Sequence, residues 1–141
     1  MTETLFSVKL KLRIDWGDMD SFGHVNNVSI FSYIQASRVH YLEKTGLMKM
    51  QKELKIGPIL ASCKCEFKKT LYYPGQITIH SRVEFIKNTS FCIHHRILDD
   101  KNQLAAEARD ILVLYDFTND IKVQIPGKIR VQFEKLENRR F

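Results

Sequence analysis

An α+β fold, with an antiparallel sheet of about five strands wrapped around one long buried helix, is predicted by three features of the sequence. Residues 8–14 alternate apolar and charged side chains, the period of a half-buried strand. Residues 28–44 form a largely apolar run without proline or glycine, as a helix packed into a core would. After Gly57-Pro58 come four segments rich in Ile, Val, Phe, Tyr and Thr. Their links are shorter than the dozen or so residues that a parallel crossover needs, so the sheet is antiparallel. A helix bedded on such a sheet buries the apolar surface of both layers.

In the first strand Val8, Leu10, Leu12 and Ile14 face inward, and Lys9, Lys11, Arg13 and Asp15 face water, with Trp16 continuing the buried set. Gly17 breaks the run. The following Asp18-Met19-Asp20-Ser21-Phe22-Gly23 is turn-rich, and its polar side chains can cap or bend the backbone. The helix then runs from Val28 to about Lys44, with Asn26 or Asn27 as its N-cap and Gly46 as a left-handed stop. Leu47 to Lys55 reads as a short amphipathic helical piece or an ordered loop. Strands are expected over 59–71, 76–86, 90–98 and 104–117, with Tyr73-Pro74-Gly75-Gln76 as a type II turn and Asp99-Asp100-Lys101-Asn102 as a polar hairpin connection. The short links imply that consecutive strands lie side by side. A terminal helix is expected over 128–136, followed by a basic tail.

The 141 residues are read as a single domain, 1–141, long enough to bury one core. No apolar stretch approaches the roughly 18 residues of a membrane span. The first six residues lack the basic segment and apolar run of a secretory signal, so a cytoplasmic location is expected. Cys63, Cys65 and Cys92 contain no C-x-x-C pair, which argues against a disulfide framework or a four-cysteine zinc site and for reduced packing residues. His94 and His95 point to opposite faces of a strand, and no metal motif or glycine-rich phosphate loop is present, so no metal and no cofactor are expected. Ser21, Ser29 and Ser32 lack a G-x-S-x-G elbow. The net charge of +6 favours an anionic partner. Without an RNA-binding aromatic signature or a helix-turn-helix, nucleic acid is not that partner. Lys68, Lys69, Arg82 and Lys87 are candidates to meet phosphate groups. A sheet with two edges and a core on one side calls for pairing between subunits, most simply a two-fold dimer.

Chemistry concentrates where the turn meets the helix. Free amides and the positive end of the helix dipole face the segment that carries Asp20, and an oxyanion formed from a carbonyl would be stabilised there. On the residues alone Asp20 is equally a turn-forming carboxylate. Asp18 has the same chemistry two residues earlier and is read as bracing the turn, and Asp15 is read as solvated. His24 either contacts substrate, orients Asp20 or caps the turn.

Arg13-Ile14-Asp15-Trp16-Gly17-Asp18-Met19-Asp20, then Gly23-His24-Val25-Asn26-Asn27, then Tyr33 and Arg38, resemble the hotdog-fold acyl-CoA thioesterases, in particular the 4-hydroxybenzoyl-CoA thioesterase branch. The resemblance extends through the order of elements over residues 8 to about 118. It implies hydrolysis of an acyl-CoA to the free acid and CoA, with Asp20 as general base or nucleophile and the backbone amide near Asn27 as the oxyanion donor. It implies that Asp18, Gly23, His24, Val25 and Asn26 line the substrate, and that Lys87, Asn88 and Ser90 meet coenzyme A. It also implies a site at a dimer interface, in a homodimer or a homotetramer. Family members differ at the positions of His24 and Asn26, which leaves the acyl group open. Because pocket depth depends on side chains from two chains, chain length, aryl versus aliphatic preference and the choice between CoA and an acyl carrier protein thioester stay open as well. A non-catalytic hotdog protein that binds acyl-CoA or acyl carrier protein is the alternative reading.

Overall fold

In the computed structural model, which describes residues 6–141, the helix after the Asp18 to Gly23 turn is α1, Asn27–Glu43. Met1 to Leu5, most of the segment read above for a signal, lie outside the described residues. The other elements are β1 Val8–Ile14, α2 Leu47–Leu54, β2 Ile56–Phe67, β3 Gly75–Ile86, β4 Ser90–Leu98, β5 Leu104–Asp116, β6 Ile121–Lys122 and α3 Gly127–Glu137. Every strand pairing is antiparallel, in the order β1-β3-β4-β5-β2, with the short β6 on β5.

Period-two alternation decides which face of each strand meets the helix. Ile77 and Ile79 of β3, Ile97 of β4, and Ala106 and Ala108 of β5 pack with Ile30, Tyr33 and Ile34 of α1. Toward the other end of α1, Tyr41 and Leu42 join Val83, Phe91, Ile93, Leu112 and Leu114, closed by Ile129 and Phe133 of α3. Glu137 of α3 accepts hydrogen bonds from the Tyr41 hydroxyl and from the Val83 amide at 3.0 Å, which ties the terminal helix to both layers. The α+β class, the five long strands and the helix in their concave face are as the sequence predicts.

The structure corrects four readings. Within one chain the helix is buried along one side only: Ile30, Tyr33, Ile34, Ser37, Tyr41 and Leu42 are covered, but Val28, Phe31 and Val39 are exposed. Trp16 does not continue the buried set and is 76% exposed, because β1 stops at Ile14 and a single 3₁₀ turn, Trp16–Asp18, swings the side chain outward. No type II turn forms at Tyr73 to Gln76. Gly75 has no positive φ and already pairs with Ile14 as the first residue of β3. A Cβ there would stand 3.0 Å from Asp100 Oδ2 and 3.1 Å from the Tyr72 carbonyl oxygen, tighter than ordinary van der Waals contact. Finally, β2 and β3 are consecutive but not neighbours: β2 lies at the far edge, beside β5. The curl of the sheet lets the link 68–74 cross between them, anchored by the Lys68 and Lys69 amides, which both donate to the Ala105 carbonyl at 2.8 and 3.0 Å. That crossing supplies one wall of the site.

Candidate active site

The segment between β1 and α1 is a closed loop of backbone hydrogen bonds. The Asp20 amide donates to the His24 carbonyl at 2.9 Å, the Gly23 amide to the Asp20 carbonyl at 3.2 Å and the Asn26 amide to the Asp18 carbonyl at 3.0 Å. Gly23, at φ +88°, allows the tight return, a conformation that a side chain would strain. The Val25 amide then donates to the Leu71 carbonyl at 2.8 Å, stitching the loop to the crossing link.

Asn26 is the N-cap, its side-chain oxygen accepting the Ser29 amide at 2.7 Å while its carbonyl accepts the Ile30 amide at 3.3 Å. The amides of Asn27 and Val28 are then the two in the first turn without an acceptor among the described residues, at the positive end of the helix dipole. Asn27 lines a cavity of about 340 Å³ together with Asp20, His24, Val25 and Ile30 on one side and the crossing link from Phe67 to Leu71 on the other. Asp20 also borders a second cleft, of about 450 Å³, walled by Trp16, Gly17, Met19, Gly23 and Tyr73. One carboxylate therefore stands at the junction of two openings.

Asp20 Oδ1 accepts the Phe22 amide at 2.9 Å, and Oδ2 lies 3.7 Å from His24 Nδ1, with the side chain 25% exposed. The carboxylate is thus oriented through one oxygen and has the other available. Lys68 and Lys69 stand at the rim, partnered by Glu66 at 3.5 Å and Asp99 at 2.7 Å. The Lys69 hydrogen bond holds the Asp99 carboxyl below its ordinary range.

Of the residues singled out from the sequence, Asp20, His24, Val25 and Asn27 share the first cavity and Gly23 borders the second. Asp18 and Asn26 lie behind it, occupied with the helix end rather than lining either space. Lys87, Asn88 and Ser90 are not brought to Asp20 within the chain. They form the turn after Ile86, at the opposite end of β3 from Gly75, a strand of 12 residues that spans roughly 35 Å. That turn is held by the C-terminal segment, with the Ile125 amide on the Asn88 carbonyl at 2.9 Å and Arg130 on the Lys87 carbonyl at 3.4 Å.

A buried cluster escapes the sequence reading. Asp110 and His95, both 0% exposed, lie on the concave face under α1. Asp110 Oδ2 accepts from Arg38 Nε and from His95 Nε2, both at 2.8 Å, and His95 Nδ1 is hydrogen-bonded to the Ser37 hydroxyl at 2.9 Å. Burial alone would raise the Asp110 carboxyl; the hydrogen bonds from His95 and Arg38 overcome it and hold it below the ordinary carboxylate range. The only signal in the sequence is an aspartate on the inward set of β5, between Ala108 and Leu112. Beside it, burial and the Asp110 carboxylate push the Cys63 thiol up to about 12, and burial pushes Cys65 up to about 11, so neither is a ready nucleophile. Among the described residues no group of three or more His, Cys, Asp or Glu is arranged to hold a metal ion, and no helix is long and apolar enough to cross a membrane.

A curled antiparallel sheet around a long helix is the hotdog arrangement of the thioesterases whose structures it resembles. The chain belongs to the thioesterase-like superfamily, whose family model matches residues 14–133. The match is to the superfamily, which is wider than the 4-hydroxybenzoyl-CoA branch. Two solved structures share the fold closely. A thioesterase from Thermus thermophilus, complexed with coenzyme A and Zn, superposes with a TM-score of 0.86 at 20% identity, covering 97% of this chain and 98% of that one. The protein SAV2348 from Staphylococcus aureus, in complex with CoA, gives 0.87 at 9% identity, covering 94% and 85%. By sequence, YsmA of Bacillus subtilis is 26% identical over 93 residues, which span 66% of this chain and 62% of that relative. The match leaves more than a third of YsmA's own length uncovered.

Proposed function

We propose that this protein hydrolyses the thioester of an acyl-CoA, with Asp20 as the base or nucleophile and the Asn27 amide as oxyanion donor. The observation that carries the reading is that Asp20 and the start of α1 line one cavity, so a carbonyl placed there meets a carboxylate and a free N–H together. As base, Asp20 takes a proton from water as the water oxygen attacks the carbonyl carbon. The oxyanion accepts from the helix amide, a contact of a kind typically worth about 3 kcal/mol. Collapse then breaks the C–S bond and expels the CoA thiolate, which needs little acid assistance and takes up the proton held by Asp20. As nucleophile, Asp20 would form an anhydride that water opens.

The wider assembly follows from what one chain leaves open. β2 is a 12-residue edge strand whose Ile59, Leu60 and Phe67 are exposed, as are Val28, Phe31 and Val39 of α1, with Phe31 against Phe67 and Val39 bordering a cleft with Leu10 and Leu12 of β1. A second copy would cover both surfaces, giving the homodimer or homotetramer expected above. Lys68 and Lys69 meet phosphate groups from the same chain, while Lys87, Asn88 and Ser90 serve a site only where a second copy brings them to it.

A thiol-release screen over short, medium, long and aryl acyl-CoAs and an acyl carrier protein thioester tests the reading. Turnover of at least one thioester by a protein that sediments as a dimer or tetramer is the expected result. Tight binding of acyl-CoA without thiol release would favour the non-catalytic alternative.

A further inference from the structure

The geometry points to Tyr33 and Asp18 as a positioning strut that sets the separation between the carboxylate of Asp20 and the helix end at Asn27. This rests on the reading of the site proposed above.

Tyr33 is on α1, six residues beyond Asn27, and is 6% exposed. Its hydroxyl donates to Asp18 Oδ2 at 2.7 Å. The same oxygen accepts the Asp15 amide at 2.9 Å, and the Asp18 carbonyl accepts the Asn26 amide at 3.0 Å and the Ser29 hydroxyl at 3.3 Å. Asp18 thus joins the end of β1, the Asp20 loop and the first two turns of α1. Without the Tyr33 to Asp18 side-chain contact, the loop carrying Asp20 is held to α1 through the Asp18 carbonyl, by the Asn26 amide and the Ser29 hydroxyl at the helix start. A reacting carbonyl must reach Asp20 and the Asn27 amide at once, and displacement of one against the other by an ångström is enough to lose turnover while leaving binding largely intact.

The arrangement also separates Asp18 from Asp20. Both hydrogen bonds fall on a single oxygen of Asp18, so asparagine, which keeps one oxygen, can hold the strut, whereas a catalytic carboxylate cannot be replaced that way.

The test combines steady-state thiol release with hydrogen exchange and thermal melting for Tyr33→Phe, Asp18→Ala, Asp18→Asn and the Tyr33→Phe/Asp18→Ala double variant. Tyr33→Phe and Asp18→Ala are expected to lower kcat by roughly 10- to 100-fold with KM nearly unchanged. Asp18→Asn should retain most of the wild-type kcat, and the double variant should be no worse than Asp18→Ala. Exchange of the Asp20, Gly23 and Asn26 amides should accelerate in Tyr33→Phe while the β3–β4–β5 amides stay protected. That arm reads the strut even in a protein that releases no thiol. An Asp18→Asn variant as inactive as Asp20→Asn would overturn the inference, since the charge of Asp18 would then do the chemistry. Wild-type loop exchange in Tyr33→Phe would overturn it as well, as would losses of kcat that merely follow loss of folded protein. Persisting turnover in Asp20→Asn would instead remove the base assignment.

Discussion

Asp20→Asn is expected to lower thiol release by roughly 10²- to 10⁴-fold, the contribution usual for a positioned general base. The variant should fold normally. The asparagine oxygen can still accept the Phe22 amide that Asp20 Oδ1 accepts at 2.9 Å, so the turn keeps its anchor and only the proton-accepting or nucleophilic oxygen is lost. Because Asn27 and the cavity walls are untouched, acyl-CoA binding should persist, and kcat and kcat/KM should fall together, the signature of an interaction made in the transition state. Steady-state kinetics beside direct measurement of acyl-CoA binding check this.

The largest effect on stability is expected at Asp110. Asp110→Ala leaves Arg38 and the fully buried His95 without their acceptor, and breaking a buried ion pair from one side costs about 3 kcal/mol or more. For a chain of this size that lowers Tm by roughly 10 °C. The pH dependence has a definite sign. The carboxyl is held below its unfolded value, so its stabilisation is fully present above the unfolded pKa of about 3.9 and is lost as pH falls through the lower folded value. Urea unfolding of wild type and Asp110→Asn should therefore differ at neutral pH and converge in acid. A difference that stays constant to acid pH would show that the charge is not what stabilises.

Much of this fold is legible from local pattern. The alternation from Val8 to Ile14, the cap at Asn26 and the polar Asp99 to Asn102 connection are each decided by a few adjacent residues, and each is found where local physics puts it. The exposure of Trp16 is not legible, because a period of two carries no sign of where a strand ends. The crossing between β2 and β3 is hidden for another reason: link length bounds only the reach of the chain, and the curl of the whole sheet decides which strands it joins. At the site, the carboxylate loop and helix start are visible as a motif, and the structure brings Asp20, His24, Val25 and Asn27 to one cavity. The opposite wall, Phe67 to Leu71, is not visible as such, because it depends on that crossing. The Tyr33 to Asp18 and Arg38 to Asp110 contacts join residues 15 and 72 positions apart, and no local pattern encodes such pairings.

The most direct test is a crystal structure of the assembled Asp20→Asn protein holding an intact acyl-CoA. The account requires the thioester carbonyl oxygen about 3 Å from the Asn27 amide nitrogen. It also requires the side chain at position 20 close enough to the carbonyl carbon to reach it directly or through one water. An ordered thioester bound elsewhere, with the space between position 20 and the start of α1 free of substrate, would contradict it.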